Sequence, residues 1–279
     1  MDKETCSTIP QNKTEEHPRK LTEKELEKLL NDSELVSEFK KCKLEKEAQR
    51  NWDLFYKRNS VNFFKDRHWT SREFDELKEP GNNKKQTLLE VGCGVGNALF
   101  PLLQENPNLM IHACDFSPRA VQFVKNNSLY DESRVNAFQC DLTKDELMDN
   151  IPEGSVDMTS MLFVLSAIHP EKMADVFKNI YKVLKPGGVL LFRDYGLYDH
   201  AMLRFSKGHK ISENFYVRQD GTRAFYFTTD FVKDLCEESG FTVAKNEYVL
   251  RETVNKKEGL CVPRVFVQST FLKPESTAS

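Results

Sequence analysis

The sequence predicts an α/β fold with one seven-stranded mixed sheet and helices on both of its faces. The first observation is an apolar segment that enters a glycine-rich turn and then a helix-like run, LLEVGCGVGNALFPLL, at residues 88–103. The second is that strand-like and helix-like segments alternate after it, which is the pattern of a parallel sheet. The third is that the next two strand-like segments end in acids, Asp115 and Asp141.

Length and charge limit the classes of function. A chain of 279 residues suits one main domain with additions. Its 40 basic and 43 acidic residues give a net charge of −3, so a nucleic-acid-binding surface must be local. The seven cysteines contain no C-x-x-C pair, and we expect reduced core thiols at Cys93, Cys114 and Cys140 and no metal site. No leader-like or membrane-spanning apolar run is found, so we expect a protein of the cytosol or the nucleus.

The composition divides the chain into four parts. Residues 1–20 are polar and are predicted to be a disordered tail. Residues 21–79 form an N-terminal extension that begins with a capping box, Thr22 and Glu25. The main domain covers residues 80–274 with an insertion at 196–227, and a short tail follows at 275–279.

The spacing of the glycines limits the class of ligand that the turn can bind. Gly92, Gly94 and Gly96 fall at alternate positions, and glycine suits a turn with positive φ or with a closely approaching ligand. A dinucleotide-binding turn has its third glycine where this chain has Asn97. The order E-x-G-x-G-x-G, from Glu90, instead resembles motif I of class I S-adenosylmethionine-dependent methyltransferases. If this motif is considered by itself, an ordinary strand-to-helix turn is the alternative interpretation.

The acids at the strand ends favour a nucleotide-containing cofactor. Asp115 lies 21 residues beyond Gly94, where a Rossmann-like site needs an acid to accept hydrogen bonds from ribose hydroxyls. Asp141 is placed to hold an adenine amino group while Leu142 packs on the ring. Leu162 ends the fourth strand, close to the same ring. A single Asp at such a junction is more commonly a helix N-cap, but several ligand-type residues at one sheet edge favour a binding site.

A stretch rich in aromatic and basic residues precedes the main domain. Residues 51–72 contain five cations and two acids, interleaved with Trp52, Phe55, Tyr56, Phe63, Phe64 and Trp69. Cations beside aromatic rings suit unpaired nucleotides, whose phosphates pair with the cations while the bases stack on the rings. A lid whose aromatic residues cover the core is the alternative, and the sequence favours neither.

The second half predicts the substrate side of the site. The fifth strand, VLLFRDY, ends in Arg193, Asp194 and Tyr195, which would face the substrate; a structural salt bridge is the alternative. Asp220-Gly221 predicts a β-hairpin in the locally basic insertion. A helix capped by Thr228 or Thr229 and a closing antiparallel pair, EYVLRETVN and PRVFVQSTFLK, complete the sheet.

The absence of two motifs indicates the type of methyl acceptor. The chain has no (Asp/Asn)-Pro-Pro-(Tyr/Phe) element for an exocyclic amine and no Pro-Cys dipeptide for attack on carbon. The acceptor therefore carries its own lone pair, and the neutral N3 of cytosine fits this requirement. Because pairing with guanine would block N3, the target should be unpaired or flipped out.

Several long blocks resemble the tRNA N3-methylcytidine methyltransferase family. They include NWDLFYKRN, FFKDRHW, GCGVGN, CDFSPRA, FQCDLTKD, LFRDYGLYDHAMLRF, NFYVRQDGTR and ETVNKKEGLCVPRVF, within residues 33–274. The resemblance implies a Rossmann-like class I methyltransferase that uses S-adenosylmethionine and methylates cytidine 32 of the anticodon loop. It further implies serine tRNAs as substrates and help from seryl-tRNA synthetase, the protein being otherwise monomeric.

The resemblance also implies roles for individual residues. Trp52 and Tyr56 would cover the cofactor, Gly92 and Gly94 would lie beneath it, Asp115 would bind its ribose, and Asp141, Leu142 and Leu162 its adenine. The anticodon loop would meet Phe63, Phe64, Lys65, Asp66, Arg67 and His68, although His68 could equally be a structural hydrogen-bond donor. Arg193, Asp194 and Tyr195 would line the target pocket. A protein methyltransferase and a catalytically silent tRNA-binding scaffold remain as alternatives.

Overall fold

The computed structural model describes residues 13–79, 84–255 and 260–275, and within them two β-sheets. Eight strands form the main sheet in the order β1-β10-β11-β6-β5-β2-β3-β4, and three form a small sheet in the order β7-β8-β9. The strands are β1 (Lys13–Glu15), β2 (Gln86–Val91), β3 (Leu109–Asp115), β4 (Val135–Gln139), β5 (Val156–Leu162), β6 (Leu184–Tyr195), β7 (Lys210–Ser212), β8 (Phe215–Val217), β9 (Arg223–Phe225), β10 (Thr242–Asn255) and β11 (Leu260–Leu272).

Helices connect the strands of the main sheet and form most of the N-terminal extension. The helices of the described residues are α1 (Glu23–Leu30), α2 (Glu38–Lys46), α3 (Ala48–Asn59), α4 (Thr70–Glu73), α5 (Leu99–Glu105), α6 (Pro118–Lys125), α7 (Met173–Val183), α8 (His200–Leu203) and α9 (Thr229–Glu238). Thr22 and Glu25 form the predicted capping box of α1, and Thr228 caps α9. No helix of the described ranges has the length and apolarity to cross a bilayer.

The order of the parallel strands places a ligand site at the centre of the sheet. Strand β2 pairs in parallel with both β3 and β5, so the chain leaves β2 toward one edge and later returns to its other side. The side chains of Leu88 and Leu89 in β2 are fully buried, because helices cover both faces. Ligands of open α/β sheets bind at the carboxyl ends of the strands at this switch in strand order.

The predicted seven-stranded mixed sheet is confirmed, with one short strand added at its edge. Strand β11 pairs antiparallel with β6 and β10, which is the predicted closing pair. The additional strand, β1, pairs antiparallel with β10. The predicted disordered tail is therefore too long, because residues 13–15 hydrogen-bond to the sheet edge and Arg19 forms an ion pair with Glu25. Residues 1–12 and 276–279 lie outside the described residues, as do residues 80–83.

The insertion forms the predicted hairpin and a third strand. Strands β8 and β9 pair antiparallel across the Asp220-Gly221 turn, and β7 pairs with β8. The small sheet contacts the N-terminal extension through an isolated bridge between Leu35 and Lys210. The insertion and the extension thus lie on the same side of the molecule, at the carboxyl edge of the main sheet.

Candidate functional site

Two cavities open side by side at the carboxyl edge of the sheet. The small cavity has a volume of about 140 Å³ and the large cavity about 580 Å³. Trp52, Tyr56, Gly92 and Phe163 line both. A molecule in the small cavity can therefore contact one in the large cavity across these four residues.

The glycine turn forms the floor where the cavities meet. Gly92 and Gly94 have φ values of 62° and 55°, in the region that favours glycine. A Cβ atom on Gly92 would lie 2.4 Å from Cγ2 of Val164, and one on Gly94 would lie 3.1 Å from the Tyr56 hydroxyl oxygen. Both glycines are required because the backbone is held against neighbouring side chains.

Asp115 lies at the end of β3 and lines the small cavity. Its Oδ2 accepts a hydrogen bond from the Gly94 N–H at 3.0 Å, and its Oδ1 accepts one from the Ser117 N–H at 2.9 Å. Burial raises the pKa of this carboxyl to about 6, although both N–H groups act to lower it. A buried carboxylate with free lone pairs at such a position can accept hydrogen bonds from vicinal hydroxyls.

Asp141 and Leu142 lie at the other end of the small cavity. The Asp141 carboxylate accepts hydrogen bonds from the Thr143 hydroxyl at 2.7 Å and from Lys144 Nζ at 2.6 Å. Burial opposes ionisation, but these partners hold the pKa of Asp141 below its usual value. Leu142 is buried beside this carboxylate and offers an apolar surface to a flat ring.

The structure places Leu162 at the large cavity and not at the small one. Its side chain packs in the cluster of Leu88 and Leu191 and lines the large cavity, so it does not lie beside Leu142. Val164 and Ile168 line the small cavity instead. The strand ends at Leu162, and the chain then turns at Phe163, whose φ of 62° is rare for a bulky residue.

Helices α2 and α3 close the small cavity from above. Trp52 and Tyr56 lie one turn apart on α3, with ring centroids 6.0 Å apart, as the lid prediction requires. Asp53 of α3 accepts hydrogen bonds from the Ser117 hydroxyl at 3.0 Å and from Arg119 Nε at 3.3 Å. These contacts fasten the lid to the start of α6, directly after Asp115.

A cluster of three charged residues just before α3 holds the other end of the lid. Glu45 of α2 accepts hydrogen bonds from Lys172 and from Arg223 of the insertion. Burial would raise the pKa of Glu45, but the two cations lower it to about 2. Since all three residues line the small cavity, the insertion helps to hold the lid closed.

A buried acid and a half-buried cation line the large cavity. Glu90, at the end of β2, is 4% exposed and its Oε2 atom has no hydrogen-bond partner among the described residues. Burial raises the pKa of Glu90 to about 7. Arg67 donates from Nη1 to the Leu162 carbonyl oxygen at 3.1 Å and lies over the Phe163 ring at 5.1 Å. Arg67 therefore lies in the large cavity, and its contact with the anticodon loop stays a prediction.

The rest of the aromatic and basic segment is divided between surface and core. Phe63 is 58% exposed, and its ring contacts Phe64, which packs against the buried ring of Phe55. Lys65 and Phe64 line the large cavity. His68 is exposed, 3.8 Å from Glu105. Part of this segment therefore covers the core and part is exposed, and its contact with unpaired nucleotides stays a prediction.

Asn97 holds this segment against the glycine turn. Its Nδ2 donates hydrogen bonds to Asp66 Oδ1 at 3.0 Å and to the Phe64 carbonyl oxygen at 3.3 Å. Its carbonyl oxygen accepts from the Arg67 N–H at 2.7 Å. In the sequence, Asn97 stands where a dinucleotide-binding turn has its third glycine, and no role for its side chain is predicted. The presence of asparagine in place of this glycine is the feature of the sequence that could have indicated a role for the Asn97 side chain.

Of the three residues predicted to face the substrate, Arg193 and Tyr195 line the large cavity and Asp194 does not. Tyr195 lines it, and its ring lies 5.3 Å from that of Phe163. Asp194 is fully buried behind the wall, where it accepts hydrogen bonds from the Ser166 and Tyr195 N–H groups; burial raises its pKa to about 6. Asp194 is therefore held within the wall, and its contact with substrate stays a prediction.

Arg193 borders the large cavity but is committed to other residues. Its Nη1 donates to Glu73 Oε2 at 3.0 Å and to Gln268 Oε1 at 2.9 Å, and the guanidinium lies 4.7 Å from the Trp69 ring centroid. It is 3% exposed, and burial lowers its pKa to about 10. The structural salt bridge kept as an alternative is therefore present, but with Glu73 and not with the neighbouring Asp194.

Comparisons with known proteins agree with this geometry. A family model described as a methyltransferase domain matches residues 89–190. The chain is 64% identical to the tRNA N(3)-cytidine methyltransferase METTL6 of Homo sapiens, covering 94% of this chain and 93% of the relative. It is 43% identical to the tRNA N(3)-methylcytidine methyltransferase trm141 of Schizosaccharomyces pombe, covering 85% and 97%.

Solved structures share the fold at low sequence identity. A SAM-dependent methyltransferase from Anabaena variabilis superimposes with a TM-score of 0.59 at 15% identity, covering 81% of this chain and 94% of that chain. The 1,6-didemethyltoxoflavin-N1-methyltransferase of Burkholderia thailandensis, solved with S-adenosylhomocysteine, gives a TM-score of 0.56 at 14% identity, covering 88% and 93%. At such identities the likeness shows the fold alone.

Proposed function

This chain belongs to the family of tRNA N(3)-cytidine methyltransferases, and from that premise we propose that it methylates N3 of cytidine 32 in the anticodon loop of serine tRNAs, with help from seryl-tRNA synthetase. It is an S-adenosylmethionine-dependent enzyme with the class I methyltransferase fold. The family resemblance of the sequence supports three parts of this proposal: the position in the anticodon loop, the serine tRNAs and the synthetase.

The residues of the two cavities fit the cofactor. Asp115 suits the ribose hydroxyls, and Asp141 with Leu142 suits the adenine ring. Glu90 has a buried carboxylate oxygen with no partner among the described residues, and an ammonium group would satisfy it. Arg67 is the nearby cation for a carboxylate. An acid and a cation together suit the amino-acid end of S-adenosylmethionine.

One observation carries the proposed function: the cavities share Trp52, Tyr56, Gly92 and Phe163. A methyl donor bound over Asp115 and Glu90 extends past these residues, and an acceptor in the large cavity lies on their other side. Orientation of the two reactants is then provided by rigid walls, which is the main contribution that a neutral nucleophile requires.

The chain's own residues provide orientation and exclusion of water. When bound, the cofactor would supply a methyl group on a positively charged sulfur for transfer to cytosine N3, and would leave as a neutral thioether. N3 uses its own lone pair, so no side chain has to remove a proton. The Tyr195 and Phe163 rings offer faces for stacking the base. Because the methylated ring becomes positively charged, the electron-rich faces of these two aromatic rings stabilise the developing charge.

Nucleoside analysis tests the proposed function. Purified protein, S-adenosylmethionine and unmodified serine tRNA are incubated with and without seryl-tRNA synthetase, and the digested tRNA is analysed by mass spectrometry. We expect 3-methylcytidine, at the highest yield with the synthetase. No 3-methylcytidine in either reaction would contradict the proposal. Transfer of radiolabel to RNase-treated lysate would favour a protein methyltransferase, and failure to bind cofactor would favour a silent scaffold.

A further inference from the structure

We infer that Arg218, Arg251 and Arg264 bind a phosphodiester group of the RNA strand next to the target nucleotide. These three residues, the arginine rim, line the large cavity and come from the insertion, from β10 and from β11. The inference rests on the proposed function and assigns the rim to the phosphate backbone of the substrate. None of the roles implied by the family resemblance includes these residues.

The charge of the large cavity is the first observation. Its walls carry six cations and, among the described residues, one acid, Glu90. The whole chain has a net charge of −3, so this excess of positive charge is local. Arg193 is paired with Glu73, and Arg67 donates to the Leu162 carbonyl oxygen. In the rim, Arg264 is paired with Asp199 through Nε only, and Arg218 and Arg251 form no ion pair among the described residues. The cations of the cavity are Lys65, Arg67, Arg193, Arg218, Arg251 and Arg264.

The second observation is an unfavourable pair of like charges. Arg251 and Arg264 lie directly opposite each other on the antiparallel strands β10 and β11. Such pairs destabilise a sheet, and Arg251 has no hydrogen-bond or ion-pair partner in the part of the chain that the structure describes. Arg264 uses Nε for Asp199 Oδ2 at 2.8 Å, so its two terminal nitrogens remain for a ligand. Two guanidiniums held side by side suit one phosphate group.

The third observation identifies the ligand as a nucleotide rather than a free anion. The Arg218 and Arg264 guanidiniums lie 5.7 Å and 6.0 Å from the ring centroid of Tyr195. Arg218 is held there because its Nη1 donates to the Arg223 carbonyl oxygen at 2.8 Å. An aromatic face flanked by guanidiniums is the arrangement that binds a base and its adjoining phosphate in single-stranded RNA.

Replacement of Arg251 tests the inference without disturbing the fold. In Arg251→Gln the like-charge pair is removed and no described partner is left unsatisfied, so thermal stability should be unchanged or higher. Lys178→Gln, on the exposed surface of α7 and outside both cavities, is the matched control for loss of one positive charge. The probes are single-stranded oligocytidylate for the rim and S-adenosylhomocysteine for the cofactor site.

We expect Arg251→Gln to bind oligocytidylate about tenfold more weakly than wild type at low salt, with a salt slope reduced by about 0.7, the value for one contact to a single-strand phosphate. Its affinity for S-adenosylhomocysteine should be unchanged. Equal RNA affinity of the variant and the Lys178→Gln control, or no oligocytidylate binding by wild type, would overturn the inference. Weaker cofactor binding would also overturn it, because the rim would then belong to the cofactor. Failure of the nucleoside assay alone would contradict the proposed function and leave this binding result intact.

Discussion

The small and large cavities differ in how the chain builds them. The small cavity is built largely from strand ends that follow each other along the chain, with Asp115 and Asp141 at the ends of β3 and β4. The large cavity takes its walls from the N-terminal extension, β2, β6, the insertion and the last two strands. Local sequence patterns therefore describe the small cavity well, whereas only the folded chain defines the large one.

Removal of the Asp115 carboxylate should weaken cofactor binding and leave RNA binding unchanged. Asp115→Ala loses the acceptor for the ribose hydroxyls and for the Gly94 and Ser117 N–H groups, so affinity for S-adenosylhomocysteine should fall at least about a hundredfold. Oligocytidylate binding, which uses the large cavity, should be unchanged. Calorimetry measures the first quantity and fluorescence anisotropy the second.

The control for this experiment is Asp175→Ala, which removes an exposed acid of α7. It should leave both affinities unchanged. If Asp115→Ala retained wild-type cofactor affinity, Asp115 would not belong to the cofactor site, and the assignment of the small cavity would be wrong.

Replacement of Arg193 tests whether this wall residue of the large cavity is structural. In Arg193→Gln the carboxylate of Glu73 loses the buried cation that pairs with it, and we expect the free energy of unfolding to fall by about 3 kcal/mol or more. Urea unfolding measures the change. Arg193→Lys keeps the charge but not the planar stacking on Trp69, so it should recover only part of the loss.

A direct role of Arg193 in substrate binding makes the opposite prediction. Arg193→Gln would then keep wild-type stability and lose RNA affinity. That result would return Arg193 to the set of substrate-binding residues.

The pH dependence of stability tests the burial of Glu90, which lies where the two sites meet. Its pKa in the folded protein is about 7, above the usual value of 4.5, so between these pH values the folded state holds a proton that the unfolded state has released. The free energy of unfolding of the cofactor-free protein should therefore decrease as pH rises from 4.5 to 7, by up to about 3 kcal/mol from this group.

Glu90→Gln should remove this decrease, so that the cofactor-free variant is more stable than wild type at pH 8 while it binds S-adenosylhomocysteine more weakly. Urea unfolding at pH 5 and pH 8 measures the effect, with the exposed Glu171→Gln as control. Equal pH dependence of wild type and Glu90→Gln would show that Glu90 is not a buried acid of raised pKa.

The features predicted correctly from the sequence are those that local chemistry determines. The positive φ values of Gly92 and Gly94, the capping box at Thr22 and the Asp220-Gly221 hairpin each depend on a few neighbouring residues. The alternation of strands and helices likewise predicted the parallel sheet, because each strand has to bury both faces.

The local sequence does not indicate the direction of side chains that depend on distant contacts. Leu162 and Asp194 lie at strand ends beside the site, but the chain reverses at Phe163 and Asp194 accepts a hydrogen bond from the Ser166 N–H. Arg67 donates to the Leu162 carbonyl oxygen and lines the large cavity. Arg251 had no local signal, since its role follows from the register of β10 on β11.

A crystal structure with S-adenosylhomocysteine and oligocytidylate tests the central claim. This claim is that the donor binds in the small cavity with its amino-acid end reaching Glu90, and that the acceptor binds in the rest of the large cavity. The account predicts adenine beside Leu142, the ribose on Asp115, and the sulfur at the junction of Trp52, Tyr56, Gly92 and Phe163, with a cytosine ring stacked on Tyr195 and its N3 directed at the sulfur. A cytosine bound outside the large cavity, or a sulfur away from these four residues, would contradict it.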